Sequence, residues 1–143
     1  MIREMSLNDL NEINGIGNQI KDNFVKNYNL EEYQNIEWLK VYVYEEAFKI
    51  LGFIVIAKNY ENIDIYAIAV ESNFKKRGIG SKLLEYTINN EDYETITLEV
   101  RSKNIAAINL YTKYNFEIVN TRKKYYDNDD ALVMQYKNSK GSI

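Results

Sequence analysis

The sequence predicts a mixed α/β (α+β) domain on a twisted sheet of about six or seven strands flanked by helices. Three observations carry that prediction. Residues 50–57 and 63–70 are almost unbroken apolar runs, the pattern of central strands buried on both faces. Residues 68–84 pass from a strand through a basic, glycine-containing turn directly into an amphipathic helix. Residues 95–100 alternate Thr95, Thr97 and Glu99 with Ile96, Leu98 and Val100, and a helical pattern follows from Asn104.

The remaining elements follow in order. Residues 2–5 read as a short first strand, and Ser6 as the N-cap of a helix through Leu10 and Ile13. Ile16 and Ile20 extend its apolar stripe, while Gly15 and Gly17 weaken it. Residues 21–38 are polar and aromatic and predict one or two short helices around a loop. Residues 41–45 alternate as a strand and 45–49 form a hairpin turn. After the glycine turn, Ile79, Leu83, Leu84, Thr87 and Ile88 share one helical face. In the helix from Asn104, Ala107, Leu110, Tyr111 and Tyr114 do the same. Two strands near 116–119 and 131–136 then flank a charged, tyrosine-bearing loop. The expectation is a single domain over 1–137 and a short flexible tail over 138–143.

Composition excludes much chemistry. The chain has 143 residues, no Cys and no His, which removes disulfides, thiol nucleophiles, imidazole acid–base chemistry and histidine-based metal sites; no metal is expected. Catalysis here is left to carboxylates, Tyr, Lys, Ser or Thr. There is no apolar run long enough to span a membrane and no charged, apolar leader, so the expected address is cytoplasmic, with no membrane partner. A net charge of −3 argues against a nucleic-acid partner and suits a basic one.

The turn at residues 75–81 has the properties of an anion site. Gly78 and Gly80 lack a Cβ and permit close backbone approach to a ligand. The first amides of the following helix point outward at the positive end of its dipole, and Lys75, Lys76 and Arg77 add charge. A pyrophosphate is the best-fitting anion. A dinucleotide fingerprint needs a third glycine where Leu83 stands, and a P-loop needs Gly-Lys-Ser/Thr where Gly80-Ser81-Lys82 stands. Both of those alternatives fail.

The turn resembles instead the Gln/Arg-x-x-Gly-x-Gly/Ala acyl-CoA loop of the GCN5-related N-acetyltransferases (GNAT), with Lys75 in the first slot. Residues 98–116 resemble the family's Leu-Glu-Val-Arg-x-Ser-Asn-x-x-Ala-x-x-Leu-Tyr-x-Lys-x-Gly-Phe pattern, most closely its ribosomal-protein-alanine N-acetyltransferase (RimI-like) branch. That branch also carries Arg-x-x-Tyr-Tyr and an acidic-acidic-Ala turn, here Arg122-x-x-Tyr125-Tyr126 and Asp129-Asp130-Ala131.

The resemblance implies a GNAT fold and direct acetyl transfer from acetyl-CoA to a primary amine, foremost the N-terminal α-amine of a (ribosomal) protein. It implies Glu99 as the base, acting through water, and Tyr111 as the proton donor to the CoA sulfur. Cofactor contacts fall on the backbone of Ile68, Ala69 and Val70, on Lys75, Lys76, Arg77, Gly78, Ile79, Gly80 and Ser81, and on Asn104, Ala107 and Lys113. Tyr125 and Tyr126 wall the acceptor site. Asp127, Asp129 and Asp130, beside that wall, add a negative field for a basic segment. Each residue also has a structural reading: Glu99 as a solvated or Arg101-paired carboxylate, Tyr111 as core, Asn104 as a helix cap.

Three positions depart from the pattern: Lys75 for Gln or Arg, Lys103 for Ser, and Asn115 for Gly, the last acceptable at a left-handed helix end. Residues 21–38 lack the aromatic-Pro-Trp-Ser element that helps form the acceptor cleft in that branch. Besides acetylation of charged tRNA, which the acidic balance disfavours, there are two rival readings. One is an acetyltransferase of a small amine such as a polyamine, amino acid or aminoglycoside. The other is a non-catalytic acyl-CoA-binding module, against which Glu99 and Tyr111 argue. The sequence leaves monomer and homodimer equally open.

Overall fold

The computed structural model describes residues 1–20, 24–126 and 129–138, excluding the side chains of Val25, Lys26 and Tyr126. The expectations for residues 21–23, Asp127 and 139–143 lie outside those residues. Seven strands form one mixed sheet: β1 (Ile2–Glu4), β2 (Leu39–Glu46), β3 (Lys49–Asn59), β4 (Asn62–Val70), β5 (Thr95–Arg101), β6 (Glu117–Tyr126) and β7 (Asp129–Lys137), in the order β1-β2-β3-β4-β5-β7-β6. Helices α1 (Leu10–Ile20), α2 (Phe24–Asn27), α3 (Leu30–Tyr33), α4 (Ile79–Asn90) and α5 (Ile105–Lys113) accompany it. The chain divides into two compact units, residues 1–57 with 66–91, and residues 58–65 with 92–143.

In the first unit β3 is buried on both faces, which explains its unbroken apolar run. Phe53 and Val55 join Ile13 and Ile16 of α1, Phe24 and Leu30 in one cluster. Gly52 lies on the other face: a Cβ there would meet Ile79 and Leu83 of α4 at 3.0 and 3.3 Å and the Ala69 carbonyl oxygen at 2.9 Å. The β2–β3 hairpin turns at Ala47 and Phe48, both left-handed (φ 51° and 66°), within the predicted turn.

Two sequence expectations are revised here. The helix predicted after Ser6 opens with a 3₁₀ turn at Leu7–Asp9, whose buried Asp9 accepts from the Ser6 N–H at 2.8 Å and from Arg3 at 2.7 and 3.0 Å. Helix α1 then runs through Gly15 and Gly17 without a break. The Phe24 ring lies against Gly17, at 2.4 Å from where a Cβ would be. Packing, absent from a propensity reading, explains that glycine.

In the second unit Ile96, Leu98 and Val100 are buried while Glu99 and Arg101 are exposed, the predicted alternation. Tyr111 of α5, Phe116 and Tyr136 form an aromatic chain with ring centroids 5.8 and 5.6 Å apart. The charged loop expected after residue 119 is strand: β6 continues to Tyr126, paired antiparallel with β7. As the last strand of the sheet it has a neighbour on one side only, so its exposed charges cost little and the hydrophobic alternation that marks inner strands is missing. Val119 is an extra residue in this ladder: Ile118 pairs with Met134 and Asn120 with Val133, a β-bulge. Asn138, counted in the expected tail, donates to the carbonyls of Glu94 and Tyr93 at 2.8 and 3.1 Å.

Candidate active site

The predicted residues fall in two sets, one in each unit. In the first, β4 leads into a 3₁₀ turn at Ser72–Phe74, then into the exposed segment Lys75–Gly78 and the start of α4. The turn is anchored by Gln19 of α1, which accepts from the Ser72 N–H at 3.0 Å and donates to Glu71 at 3.2 Å. Glu71 also accepts from the Asn73 N–H at 2.8 Å. No signal in the sequence pointed to Gln19.

Lys76 and Gly78 are both left-handed, with φ 69° and 77°. Gly78 is the N-cap of α4 and supplies no side-chain cap, which leaves the first amides of a twelve-residue helix to an outside acceptor. Successive left-handed and helical residues turn backbone N–H groups toward one concavity, so the loop has the chemistry for a diphosphate. Arg77 is held by Glu46 at 3.0 Å and lies over the Phe74 ring, which Lys49 also approaches. The β4–β5 ladder pairs Asn62–Ile65 with Thr95–Leu98. Strand β4 continues past it, so Ile68, Ala69 and Val70 stand outside that ladder.

In the second unit, Asn104 caps α5, its side-chain oxygen accepting from the Ala107 N–H at 3.2 Å. The capping role assigned to it as an alternative is therefore present. Lys113 occupies the last turn of α5 with its ammonium over Tyr114. Asn115 is left-handed (φ 69°), as its place at a helix end required.

Tyr111 is 6% exposed, and burial pushes its phenol up to about 12, so it holds its proton throughout the neutral range. Glu99 points away from the buried face of β5 and pairs with Arg122 of β6, Oε2 to Nη1 3.6 Å. The Arg122 guanidinium also lies over the Tyr125 ring, 5.4 Å from its centroid. The Glu99–Arg122 pair was not foreseen, because it forms across an intervening strand, β7.

Asp129 and Asp130, predicted beside the tyrosines, are engaged within the fold. Asp129 accepts from the Ser102 hydroxyl and the Lys103 N–H, and the hydroxyl bond foremost holds its carboxyl below the usual range. Asp130 accepts from the Lys124 N–H at 2.8 Å, its main cause of a lowered pKa, and from Lys123 at 3.5 Å. Both aspartates fasten strand ends.

A cavity of about 250 Å³ lined by Glu4, Met5, Tyr33, Gln34, Leu39, Lys40 and Val41 contains none of the predicted residues. Among the described residues no cluster of acidic side chains could hold a metal ion, and no helix is long and apolar enough to cross a membrane.

These features coincide with one family. Its model, the acetyltransferase (GNAT) family, matches residues 13–116, and the chain belongs to that family. Among curated relatives, the chain is 38% identical over 77 residues to a [ribosomal protein bS18]-alanine N-acetyltransferase of Salmonella typhimurium, covering 49% of this chain and 52% of the relative. It is 41% identical over 75 residues to an N-alpha-acetyltransferase of Sulfolobus acidocaldarius, covering 49% and 45%. The match thus spans about half the length of these curated relatives. Among solved structures, the ribosomal-protein-S18-alanine N-acetyltransferase of Escherichia coli superposes with a TM-score of 0.83 at 25% identity, covering 96% of this chain and 92% of that one.

Proposed function

We propose that this protein is an acetyl-CoA-dependent N-acetyltransferase acting in the cytoplasm on the N-terminal α-amine of a protein, with a ribosomal protein the foremost acceptor. The observation that carries the reading is the uncapped N-terminus of α4 behind a left-handed basic turn, a fitted seat for the CoA diphosphate. Amides of Gly78, Ile79, Gly80 and Ser81 hold that diphosphate, with Lys75, Lys76 and Arg77 around it. The backbone of Ile68, Ala69 and Val70 holds the pantetheine arm as one strand adds to another, and Ala107, Asn104 and Lys113 border it. The bound cosubstrate supplies an acetyl thioester, whose carbonyl carbon accepts the amine nitrogen and whose sulfur leaves as a thiolate.

The protein's own groups handle the protons. Glu99, through a water, takes the proton the amine loses as its nitrogen forms the new amide bond. Tyr111, kept protonated by burial, gives its proton to the sulfur as the carbon–sulfur bond breaks. An acyl-enzyme is unnecessary, and there is no cysteine to form one. Tyr125 and Tyr126 flank the acceptor chain. The acceptor class rests on the relatives' names.

A panel assay with acetyl-CoA tests the proposal. A short peptide beginning with a small residue is expected to exceed free amino acids, polyamines and an aminoglycoside in kcat/KM. A small amine as the better substrate overturns the protein-acceptor reading and leaves the acetyltransferase one. No transfer to any amine, with tight acetyl-CoA binding, favours the binding module.

A further inference from the structure

We propose that Arg122 is a positioning residue for the base: lying between the Glu99 carboxylate and the Tyr125 ring, it holds Glu99 in its working orientation and couples it to the acceptor wall. The inference rests on the reading of Glu99 as the base.

The geometry comes from the sheet register. Glu99 of β5 stands opposite Val133 of β7, and Arg101 opposite Ala131. Across the next ladder, Val133 faces Asn120 and Ala131 faces Arg122. Directly opposed residues share a face, so Glu99, Arg101, Ala131 and Arg122 stand on one side of the sheet. Counting by twos from Ile118 puts Arg122 on the other side, with Met134 and Leu98. The extra residue Val119 reverses the count and delivers Arg122 to the Glu99 face. Between the two arginines in this row, Ala131 contributes only a methyl group, and the Arg122 side chain reaches Glu99 diagonally across it, Nη1 to Oε2 3.6 Å.

The same guanidinium is 5.4 Å from the Tyr125 ring centroid, within range of a cation–π contact. A single planar cation therefore touches both the base and the acceptor wall. Lysine reproduces the charge but not the flat fork. Arg122 is half exposed on the last strand of the sheet, so shortening it leaves the core intact.

A double-mutant cycle in kcat tests this, using acetyl-CoA, the best acceptor of the panel, and folded protein checked by Tm. Arg122→Met is expected to lower kcat about 10- to 100-fold with acetyl-CoA affinity unchanged, the scale of a misplaced catalytic group. In a Glu99→Gln background the same substitution is expected to cost nothing further, because the group it positions is already disabled. Arg122→Lys should recover part of the loss, and it serves as the second variant should Arg122→Met fold poorly. Equal losses in both backgrounds, or no loss in either, overturn the role of Arg122 while leaving Glu99 as base. Full activity of Glu99→Gln alone overturns the base assignment and this proposal with it.

Discussion

Tyr111 combines two properties that one substitution separates. Its ring packs on Phe116, and its hydroxyl is held protonated by burial at a pKa of about 12. Tyr111→Phe keeps the ring and removes the proton. The expected outcome is a kcat lower by about 10²-fold, the low end for a general acid, with Tm almost unmoved. A large fall in Tm with normal turnover per folded molecule would instead make Tyr111 a packing residue. At this scale the sequence was most informative where function is local. Glu99, Asn104 and Tyr111 lie within thirteen residues of one another, on a strand and helix whose periodicities give their faces. The partner of Glu99 was hidden because it arrives from another strand.

Among the elements, α1 and α4 make glycine-based predictions of opposite kinds. A Cβ at Gly15 meets nothing within 4 Å, whereas one at Gly17 lands 2.4 Å from the Phe24 ring. Gly15→Ala should therefore stabilise the protein by about 0.5–1 kcal/mol, as in any exposed helix interior. Gly17→Ala should destabilise it by about 1–3 kcal/mol, because overpacking outweighs the same helical gain. Urea denaturation of the pair measures both signs. At the start of α4, Gly78 has open space around it but a φ of 77°, so valine there strains the turn and obstructs a ligand rather than the core. Acetyl-CoA affinity by calorimetry should fall at least about tenfold, or about 1.4 kcal/mol. Unchanged affinity in a folded Gly78→Val protein removes the diphosphate from this turn. Both helices were legible in their positions, but only α4 in its purpose, since the contact that explains Gly17 is tertiary.

For the molecule as a whole, the phenols set an alkaline limit to stability. Burial raises Tyr111 and Tyr93 to about 12 and, as the largest cause, also raises Tyr28, Tyr33 and Tyr42. Unfolded, each would lose its proton near pH 10. Above that pH the unfolded chain binds fewer protons than the folded one, so unfolding is favoured progressively as pH rises toward 12. The stability these neutral phenols provide is fully present below about pH 10 and is lost through about pH 12. Denaturation midpoints between pH 8 and 11 should stay level and then fall. A midpoint that stays flat to pH 11 contradicts the buried phenols. The class and the central strands were readable because long apolar runs and a glycine turn are strong local signals, whereas the order of strands in the sheet rests on pairings far apart in sequence. The extent of β6 was not readable either, because an edge strand exposed along its length carries no such signal.

The extra residue at Val119 has a genetic consequence. Because it opposes no residue of its own on β7, loss of its codon closes the ladder while Ile118 keeps Met134 and Arg122 keeps Ala131. A deletion within a strand, normally ruinous because every later side chain changes sides, is harmless to the pairing here. Inheritance can therefore drop or regain one triplet just upstream of Arg122 without moving the guanidinium from the base. A one-position gap before the Arg-x-x-Tyr-Tyr signature is the trace this spare residue is expected to leave among related genes.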